Sequence, residues 1–280
     1  MSARPETPPR YGQAQASDGA SLHYQIHENP ASEHCIVLLH SLAMDHRFWR
    51  LVAPALAGQA TVLCPDVRGH GASSKPAGPY DIALFARDLK ELLQSLGYRR
   101  AIVGGASMGG CIALQFGIDH PQMTAGLALI DTTAWYGPSA PADWAGRAHK
   151  AASEGFGALV QFQATRWFSD AFRAAQPETV QACIDTFLAN DTDAYVATCH
   201  AMGGFDGREG ARRIACPTEV LVGEQDYAAP VSMAQDLHAA IAGSALTVIP
   251  AARHLTPLET PAVIVQAFER LLAGASGAPA

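Results

Sequence analysis

Residues 105–109 read Gly105-Ala106-Ser107-Met108-Gly109, and a mostly apolar run at 100–104 comes directly before them. A strand, a sharp turn and a helix are the expected surroundings of a G-x-S-x-G nucleophile elbow, and residues 111–117 have the apolar character of such a helix. The turn forces the central serine into strained backbone angles, and the flanking glycines let strand and helix approach closely. The pattern predicts that the hydroxyl oxygen of Ser107 is a nucleophile.

Short apolar runs alternate with longer helical patterns along most of the chain. Residues 21–26 alternate polar and apolar side chains, which predicts an antiparallel edge strand. Other runs are nearly continuous in apolar residues and predict buried strands at 34–39, 60–64, 101–104, 126–130, 218–222 and 245–249. Helical spacing is found at 80–96, 233–241 and 260–272. The predicted fold class is α/β, with a mostly parallel central sheet and helices on both faces.

This alternation breaks between residues 134 and 213, where the pattern is helical. Three of the four tryptophans lie there, at Trp135, Trp144 and Trp167. We interpret the segment as a helical cap inserted over the site, because ligand sites favour apolar interfaces between domains. The predicted organisation is a mobile leader at 1–17, a core at 18–133 and 214–274, the cap at 134–213 and a tail at 275–280.

Composition excludes several classes of protein. The chain of 280 residues has a net charge of −7, so it lacks the basic surface of a nucleic-acid-binding protein. No run approaches the roughly 18 apolar residues of a membrane span, and the N-terminal segment has no apolar signal core. Six cysteines occur singly, which indicates free thiols rather than disulfides or metal ligands. We therefore expect a cytoplasmic protein that binds neither nucleic acid nor membranes.

A serine nucleophile needs a base, and the base needs an orienting acid. His254 follows the last predicted strand, where the chain order Ser, Asp, His places the base. Asp226 and Asp131 each follow a predicted strand and are both candidates for the acid. Asp226 is preferred because the last two strands of such a sheet are neighbours, and Glu224 is a weaker third candidate. The predicted catalytic residues are Ser107, Asp226 and His254.

Two backbone N–H groups are needed to hold the oxyanion of the tetrahedral intermediate. One comes from the residue after the nucleophile, Met108. The other comes from the loop after the strand at 34–39, which reads His40-Ser41-Leu42-Ala43, and Leu42 is placed to donate. We therefore predict an oxyanion hole made of the N–H groups of Leu42 and Met108.

The remaining histidines give no comparable signal. His70 lies in a glycine-rich stretch and is predicted to belong to a structural turn. His23 and His27 are four residues apart but in a strand context, so they do not share a helical face as a metal-binding pair would. We expect no metal site from these patterns.

Together these residues resemble the α/β-hydrolase superfamily over nearly the whole chain. The stretch at 65–73, Pro-Asp-Val-Arg-Gly-His-Gly-Ala-Ser, is similar to that superfamily's turn after an early strand. Other stretches resemble one branch, the 3-oxoadipate enol-lactonases of aromatic-acid catabolism: Ser41-Leu42, residues 131–138 and residues 254–259. Two stretches depart from that branch, which is expected to have Asn in place of His40 and Leu-Ser-Leu-Gly in place of Ala-Ser-Met-Gly at 106–109.

The resemblance implies that a small-molecule ester or lactone is hydrolysed through an acyl-enzyme, without a metal or organic cofactor. An enol-lactone of this kind carries a free carboxylate, so a cation should line the pocket. The cap offers Arg147 and Arg166 as the favoured candidates for substrate binding, and Lys150 and Arg173 as further candidates. Trp135 is expected to pack against the substrate.

Other functions remain open at this point. The chain could be a carboxylesterase or a hydrolase of carbon–carbon bonds in dienoic ring-cleavage products, although Leu255 stands where the latter commonly has a tryptophan. A perhydrolase side activity is also compatible with Met108 after the serine. A different class is a ligand receptor with a hydrolase fold, for which the sequence offers no partner-binding motif.

Overall fold

A computed structural model describes residues 8–276, and within them eight strands form a single sheet. The strands are β1 (Arg10–Gln15), β2 (Ser21–His27), β3 (Cys35–Leu39), β4 (Thr61–Pro65), β5 (Ala101–Ala106), β6 (Thr124–Ile130), β7 (Thr218–Gly223) and β8 (Ala245–Ile249). Their order in the sheet is β1-β2-β4-β3-β5-β6-β7-β8. Only the β1–β2 and β2–β4 pairings are antiparallel among these strands, so the mostly parallel sheet predicted from the apolar runs is confirmed.

Helices cover both faces of the sheet. They are α1 (Ala53–Leu56), α2 (Ile82–Ser95), α3 (Met108–Asp119), α4 (Ala140–Glu154), α5 (Val160–Trp167), α6 (Asp170–Ala175), α7 (Pro177–Leu188), α8 (Thr192–Gly203), α9 (Arg208–Ala211), α10 (Val231–Ala240), α11 (Thr256–Glu259) and α12 (Pro261–Ser276). Gly104 of β5 faces Phe268 of α12, and the next residue, Gly105, faces Gly109 of α3. Because successive residues of a strand point to opposite faces, α3 and α12 cover opposite faces of the sheet.

The N-terminal segment differs from the prediction. Residues 10–15, assigned to a mobile leader, form β1 and pair with β2, so β2 is antiparallel as predicted but is not the edge strand. The strand has little apolar content, and Tyr11 is 59% exposed. Strand β1 is held in place by backbone hydrogen bonds to β2 and not by burial of apolar side chains. The pattern of apolar residues therefore does not predict it. The parts of the predicted leader at 1–7 and tail at 277–280 lie outside the described residues, and positions 275 and 276 belong to α12.

Between β6 and β7 the chain forms helices α4–α9, called here the cap helices. An isolated bridge between Trp135 and Asp206 joins the two ends of this segment. Phe156 lies edge-on to Phe187 and Tyr195, with ring centroids 5.2 and 5.0 Å apart, so much of the aromatic content forms the segment's own core. No helix in the described part of the chain combines the length and apolarity needed to cross a membrane. The six cysteines are free thiols.

Candidate active site

Ser107 lies in the turn between β5 and α3, at the carboxyl end of a central strand. Its φ of 55° is unusual for a residue with a side chain, and backbone hydrogen bonds hold this conformation. Its N–H donates to the carbonyl of Ile130 at 2.9 Å, and its own carbonyl accepts from the N–H of Cys111 at 3.0 Å. A Cβ on Gly105 would overlap the backbone of Gly109. The glycines therefore permit the close approach of strand and helix that places the serine hydroxyl at the top of the turn.

Three buried side chains from distant parts of the sequence meet at this edge of the sheet. The Nε2 atom of His254 is 3.0 Å from the Oγ atom of Ser107, and its Nδ1 atom is 2.7 Å from Oδ2 of Asp226. The other oxygen of Asp226 accepts the N–H groups of Ala228 and Ala229 at 2.7 and 3.0 Å. The carboxylate is thus fixed by backbone on one side and faces the imidazole on the other. With Nδ1–H donating to Asp226, Nε2 is free to accept the serine proton.

Asp131, the second acid candidate, has a different environment. Its Oδ1 accepts the N–H of Gly223 at 3.1 Å, and its Oδ2 accepts the N–H and the hydroxyl of Thr256 at 3.0 and 2.6 Å. Burial and the nearby Asp226 carboxylate raise the pKa of Asp131 well above its ordinary value. Asp131 therefore ties the end of β6 to the end of β7 and to the loop that carries His254.

Glu224, the third acid candidate, is exposed and accepts the N–H of Ala251 at 3.0 Å. Its carboxylate thus stabilises the loop after β8. Of the three acids weighed from the sequence, Asp226 is the one whose carboxylate contacts the imidazole of His254.

The loop after β3 is held by a buried histidine. The Nε2 atom of His40 accepts the N–H of Val67 at 3.0 Å, so the proton is on Nδ1, which donates to the carbonyl of Ser41 at 2.8 Å. Burial lowers the pKa of His40, which favours this neutral form. The C=O and N–H of a trans peptide point in opposite directions, so the N–H of Leu42 points away from His40. Met108 is the first residue of α3, and its N–H has no acceptor within the helix.

A cavity lies between these groups and the cap helices. Its inner part, of about 20 Å³, is lined by Ser107, His254 and Leu42 from the core. An outer part of about 430 Å³ continues toward Tyr227. Both parts share the side chains Tyr136, Trp144, Arg147, Arg166 and Ala228. These shared side chains indicate one path from the surface to Ser107. A larger groove of about 910 Å³ lies on another part of the surface, and none of the three triad residues lines it.

The two arginines named from the sequence as candidates for substrate binding line both parts of this cavity. The Nε of Arg147 donates to the hydroxyl of Tyr195 at 2.7 Å, and its guanidinium lies over Trp144. Arg166 lies over the ring of Phe162, and burial together with the charge of Arg147 lowers its pKa. Among residues 8–276 neither guanidinium forms an ion pair with a carboxylate. Two guanidinium groups without a direct carboxylate partner thus face the cavity, which favours an anionic ligand, although Asp143 also lines the outer part.

The other two cap cations that the sequence offered lie elsewhere. Lys150 is exposed on α4, and Arg173 pairs with Asp170 at 2.7 Å on α6. Neither lines the cavity in the described structure.

Trp135, expected from the sequence to pack against the substrate, lies outside the walls of this cavity. Its ring lies 3.7 Å below the guanidinium of Arg208, and it is absent from the described residues that line the cavity. Neighbouring residues of an extended stretch point to opposite sides, so Tyr136 faces the cavity instead. The Tyr136 hydroxyl contacts Sγ of Cys111 at 4.0 Å, and burial raises the pKa of Tyr136 well above its ordinary value.

Sequence reasoning also missed Gln163 on α5. Its side chain is buried, lines the inner cavity, and has an Oε1 atom without a hydrogen-bond partner in the described part of the chain. A buried acceptor without a donor is costly, so a ligand or water donor is expected there. A single glutamine within a helical pattern gave no signal of this position.

Known proteins agree with this architecture. The family model described as alpha/beta hydrolase fold matches residues 35–261. The 3-oxoadipate enol-lactonase 2 of Acinetobacter baylyi is 30% identical over 242 residues, which cover 86% of this chain and 90% of that protein. The enol-lactonase structure from Burkholderia xenovorans LB400 superposes with a TM-score of 0.89 and 32% identity, over 94% of this chain and all of that one. A thermophilic esterase from Thermogutta terrifontis, solved with malate bound, has a TM-score of 0.87 and 27% identity, over 96% and 99% of the two chains.

The family match spans most of the sheet and includes the turn with Ser107, the loop with Asp226 and the loop with His254. The chain belongs to the α/β hydrolase fold family, and within it the chain is similar to the 3-oxoadipate enol-lactonases.

Proposed function

We propose that this protein is a serine hydrolase that cleaves a small, carboxylate-bearing lactone or ester through an acyl-enzyme. The preferred substrate is 3-oxoadipate enol-lactone or a related enol-lactone of aromatic catabolism. The observation that carries the proposal is the Nε2 atom of His254, 3.0 Å from the hydroxyl of Ser107 and backed by Asp226. That arrangement supplies a nucleophile, its base and the group that orients the base.

The proposed reaction has two halves. The Ser107 oxygen attacks the lactone carbonyl while His254 takes its proton, and the N–H groups of Leu42 and Met108 stabilise the oxyanion. The ring C–O bond then breaks, the leaving oxygen takes the proton from His254, and the opened chain remains attached to Ser107. His254 next removes a proton from water, which attacks the acyl group and releases the acid and the free serine. Asp226 stabilises the imidazolium in both halves.

Substrate class is supported by the charge of the pocket. Arg147 and Arg166 are two guanidinium groups beside one cavity without a carboxylate partner among the described residues. A planar guanidinium is well suited to bind a carboxylate through two hydrogen bonds. The relatives named as enol-lactonases, and the related esterase with malate bound, agree with a small acidic substrate. The free cysteines support action in a reducing compartment such as the cytoplasm.

A carboxylesterase and a carbon–carbon bond hydrolase are the alternatives within the same chemistry. The residue after the histidine, Leu255, is buried, and it offers no polar group for a dienoate. A ligand receptor is the alternative of another class. It differs from an enzyme in one measurable respect, because a receptor would bind the small molecule without steady turnover.

The proposal is tested with the wild-type protein and Ser107→Ala on three substrates: an enol-lactone, an aryl ester and a dienoate. We expect the highest kcat/KM for the enol-lactone. Ser107→Ala should lose ester turnover and labelling by a fluorophosphonate while keeping its circular dichroism spectrum. The exposed surface serine variant Ser153→Ala should behave like the wild type. A clear preference for the dienoate, or full turnover by Ser107→Ala, would overturn the proposal.

A further inference from the structure

Three potential metal ligands meet on the side of the sheet near β1, outside the site described above. His23 lies on β2, His46 begins a short 3-10 helix at His46–Trp49, and Asp66 follows β4. Each offers one ligand atom, and the three atoms lie within 4.8 Å of one another. None of them contributes to the proposed chemistry at Ser107. Sequence spacing does not indicate this cluster, because the neighbours of His23 come from other elements rather than from its own strand.

We propose that His23, His46 and Asp66 bind a divalent transition-metal ion of the zinc type. Two imidazole nitrogens and a carboxylate are a common ligand set for such an ion, with a fourth position left to water. Imidazole suits zinc, cobalt and nickel, whereas calcium and magnesium require oxygen ligands. The ion would link β2, the loop after β4 and the short 3-10 helix at His46–Trp49, which follows the loop after β3.

The spacing of the ligand atoms is compatible with an ion. The Nδ1 of His23 is 2.9 Å from Oδ2 of Asp66, and the Nδ1 of His46 is 2.9 Å from Oδ1. Zinc bonds of about 2.0–2.2 Å at tetrahedral angles place ligand atoms about 3.4 Å apart. The three ligand atoms lie within 4.8 Å of one another, so side-chain shifts of up to about 1.4 Å bring them to that spacing. An imidazole that binds the ion through Nδ1 carries its proton on Nε2, so the two hydrogen bonds to Asp66 are replaced by two metal bonds.

The carboxylate is held in place independently of the two imidazoles. Oδ1 of Asp66 accepts the backbone N–H of His46 at 2.7 Å, and Oδ2 accepts the N–H of Ala72 at 2.8 Å. These donors keep the carboxylate oriented when the imidazole hydrogen bonds are exchanged for an ion. Backbone donors of this kind are the outer hydrogen bonds that support ligands in metal sites.

The site has a route to solvent. The side chains of His23 and His46 are each 14% exposed, while that of Asp66 is buried. The exposed ring of Tyr11 stacks on His23 with centroids 5.9 Å apart and meets His46 edge-on at 5.7 Å. Tyr11 lies on the edge strand β1, so a surface side chain covers the two imidazoles.

The experiment is a titration of the full chain, without a histidine tag, with Zn²⁺ by isothermal calorimetry. We expect one equivalent to bind to the wild type. His23→Asn and His46→Asn preserve a side-chain N–H that can donate to Asp66 but remove the imidazole ligand. Each should weaken zinc binding by more than about 100-fold, the upper range for loss of an outer partner alone. His149→Asn, at an exposed histidine, is the matched control and should bind zinc like the wild type.

A second readout separates this site from zinc bound at His254 or on the surface. Zn²⁺ should raise the Tm of the wild type and of His149→Asn, and should not raise that of the double variant His23→Asn/His46→Asn. Circular dichroism of each variant establishes that it is folded before the titration. The absence of stoichiometric binding to the wild type would overturn the proposal. Equal binding, or an equal rise in Tm, in the double variant would overturn it as well.

Discussion

The Nδ1–H of His40 donates to the carbonyl oxygen of Ser41 at 2.8 Å, and this hydrogen bond sets the direction of the next N–H group. The peptide that accepts from His40 is the one whose N–H belongs to Leu42, so the two ends of a single peptide unit face opposite ways. The carbonyl of Ser41 is held by the buried His40, and the N–H of Leu42 is directed away from it. His40 is therefore a positioning residue for the proposed oxyanion hole rather than a base.

His40→Ala should lower kcat by about 10–100-fold with little change in KM, because Leu42 would remain present but poorly oriented. Complete loss of an oxyanion donor typically costs about 10²–10³ in kcat, which sets the upper limit. His40→Asn should recover most of the activity, since an amide N–H can replace Nδ1–H toward Ser41. Steady-state kinetics on one ester substrate measures both. An unchanged kcat in the alanine variant would contradict the role.

The two buried aspartates should respond differently to the same substitution. Asp226→Asn should lower kcat by up to about 10⁴, because an amide cannot hold His254 in the required tautomer. Asp131→Asn places an N–H₂ group against the donors of Thr256, so its main effect should be a loss of about 1–3 kcal/mol in the free energy of unfolding. Enzyme kinetics and urea unfolding of both variants measure this. Greater kinetic damage from Asp131→Asn would show that the acid has been wrongly assigned.

Arg166 provides a test of the anionic substrate. Arg166→Met should raise KM for a carboxylate-bearing lactone by about 10–100-fold, the range expected for hydrogen bonds to a charged group. The kinetics on a neutral aryl ester should change little. Arg173→Met is the matched control, because Arg173 lies on the neighbouring helix α6 and pairs with Asp170. Equal losses on charged and neutral substrates would argue against carboxylate binding at this position.

The buried imidazole of His70 makes stability depend on pH. Burial lowers the pKa of His70 to about 3, whereas in the unfolded chain it takes its ordinary value near 6.5. Between those values the unfolded chain binds a proton that the folded chain does not. The free energy of unfolding therefore falls as pH decreases, by about 1.4 kcal/mol per pH unit within that window. Below a pH of about 3 both states are protonated and the loss is complete.

This dependence can be isolated with His70→Asn. Between pH 7 and pH 5 the wild type should lose about 2 kcal/mol more stability than the variant. Urea unfolding at the two pH values measures the difference, with the exposed His149→Asn as the control. A variant with the same pH dependence as the wild type would show that His70 does not contribute.

Much of this fold follows from local patterns. The runs that became β3 to β7 are nearly all apolar and largely buried, as expected for strands covered on both faces. The buried strand predicted at 245–249 is instead the edge strand β8, whose side chains are mostly exposed or half-buried. The elbow at Ser107 is recognisable from a short motif, although Gly109 is required because a Cβ at that position would overlap the backbone of Leu39 on the neighbouring strand. Chain order then selected Asp226 and His254, whose side chains the structure brings together. Their catalytic roles stay a prediction.

Long-range packing decided the rest. Strand β1 depends on hydrogen bonds to β2, and apolar patterning does not register backbone pairing. Whether Trp135 or Tyr136 faces the cavity depends on how the chain leaves the sheet, because one step along an extended segment reverses the side. The approach of His23, His46 and Asp66 joins residues from three separate elements. Sequence spacing describes neighbours along the chain, whereas these contacts arise only after the sheet has aligned its strands.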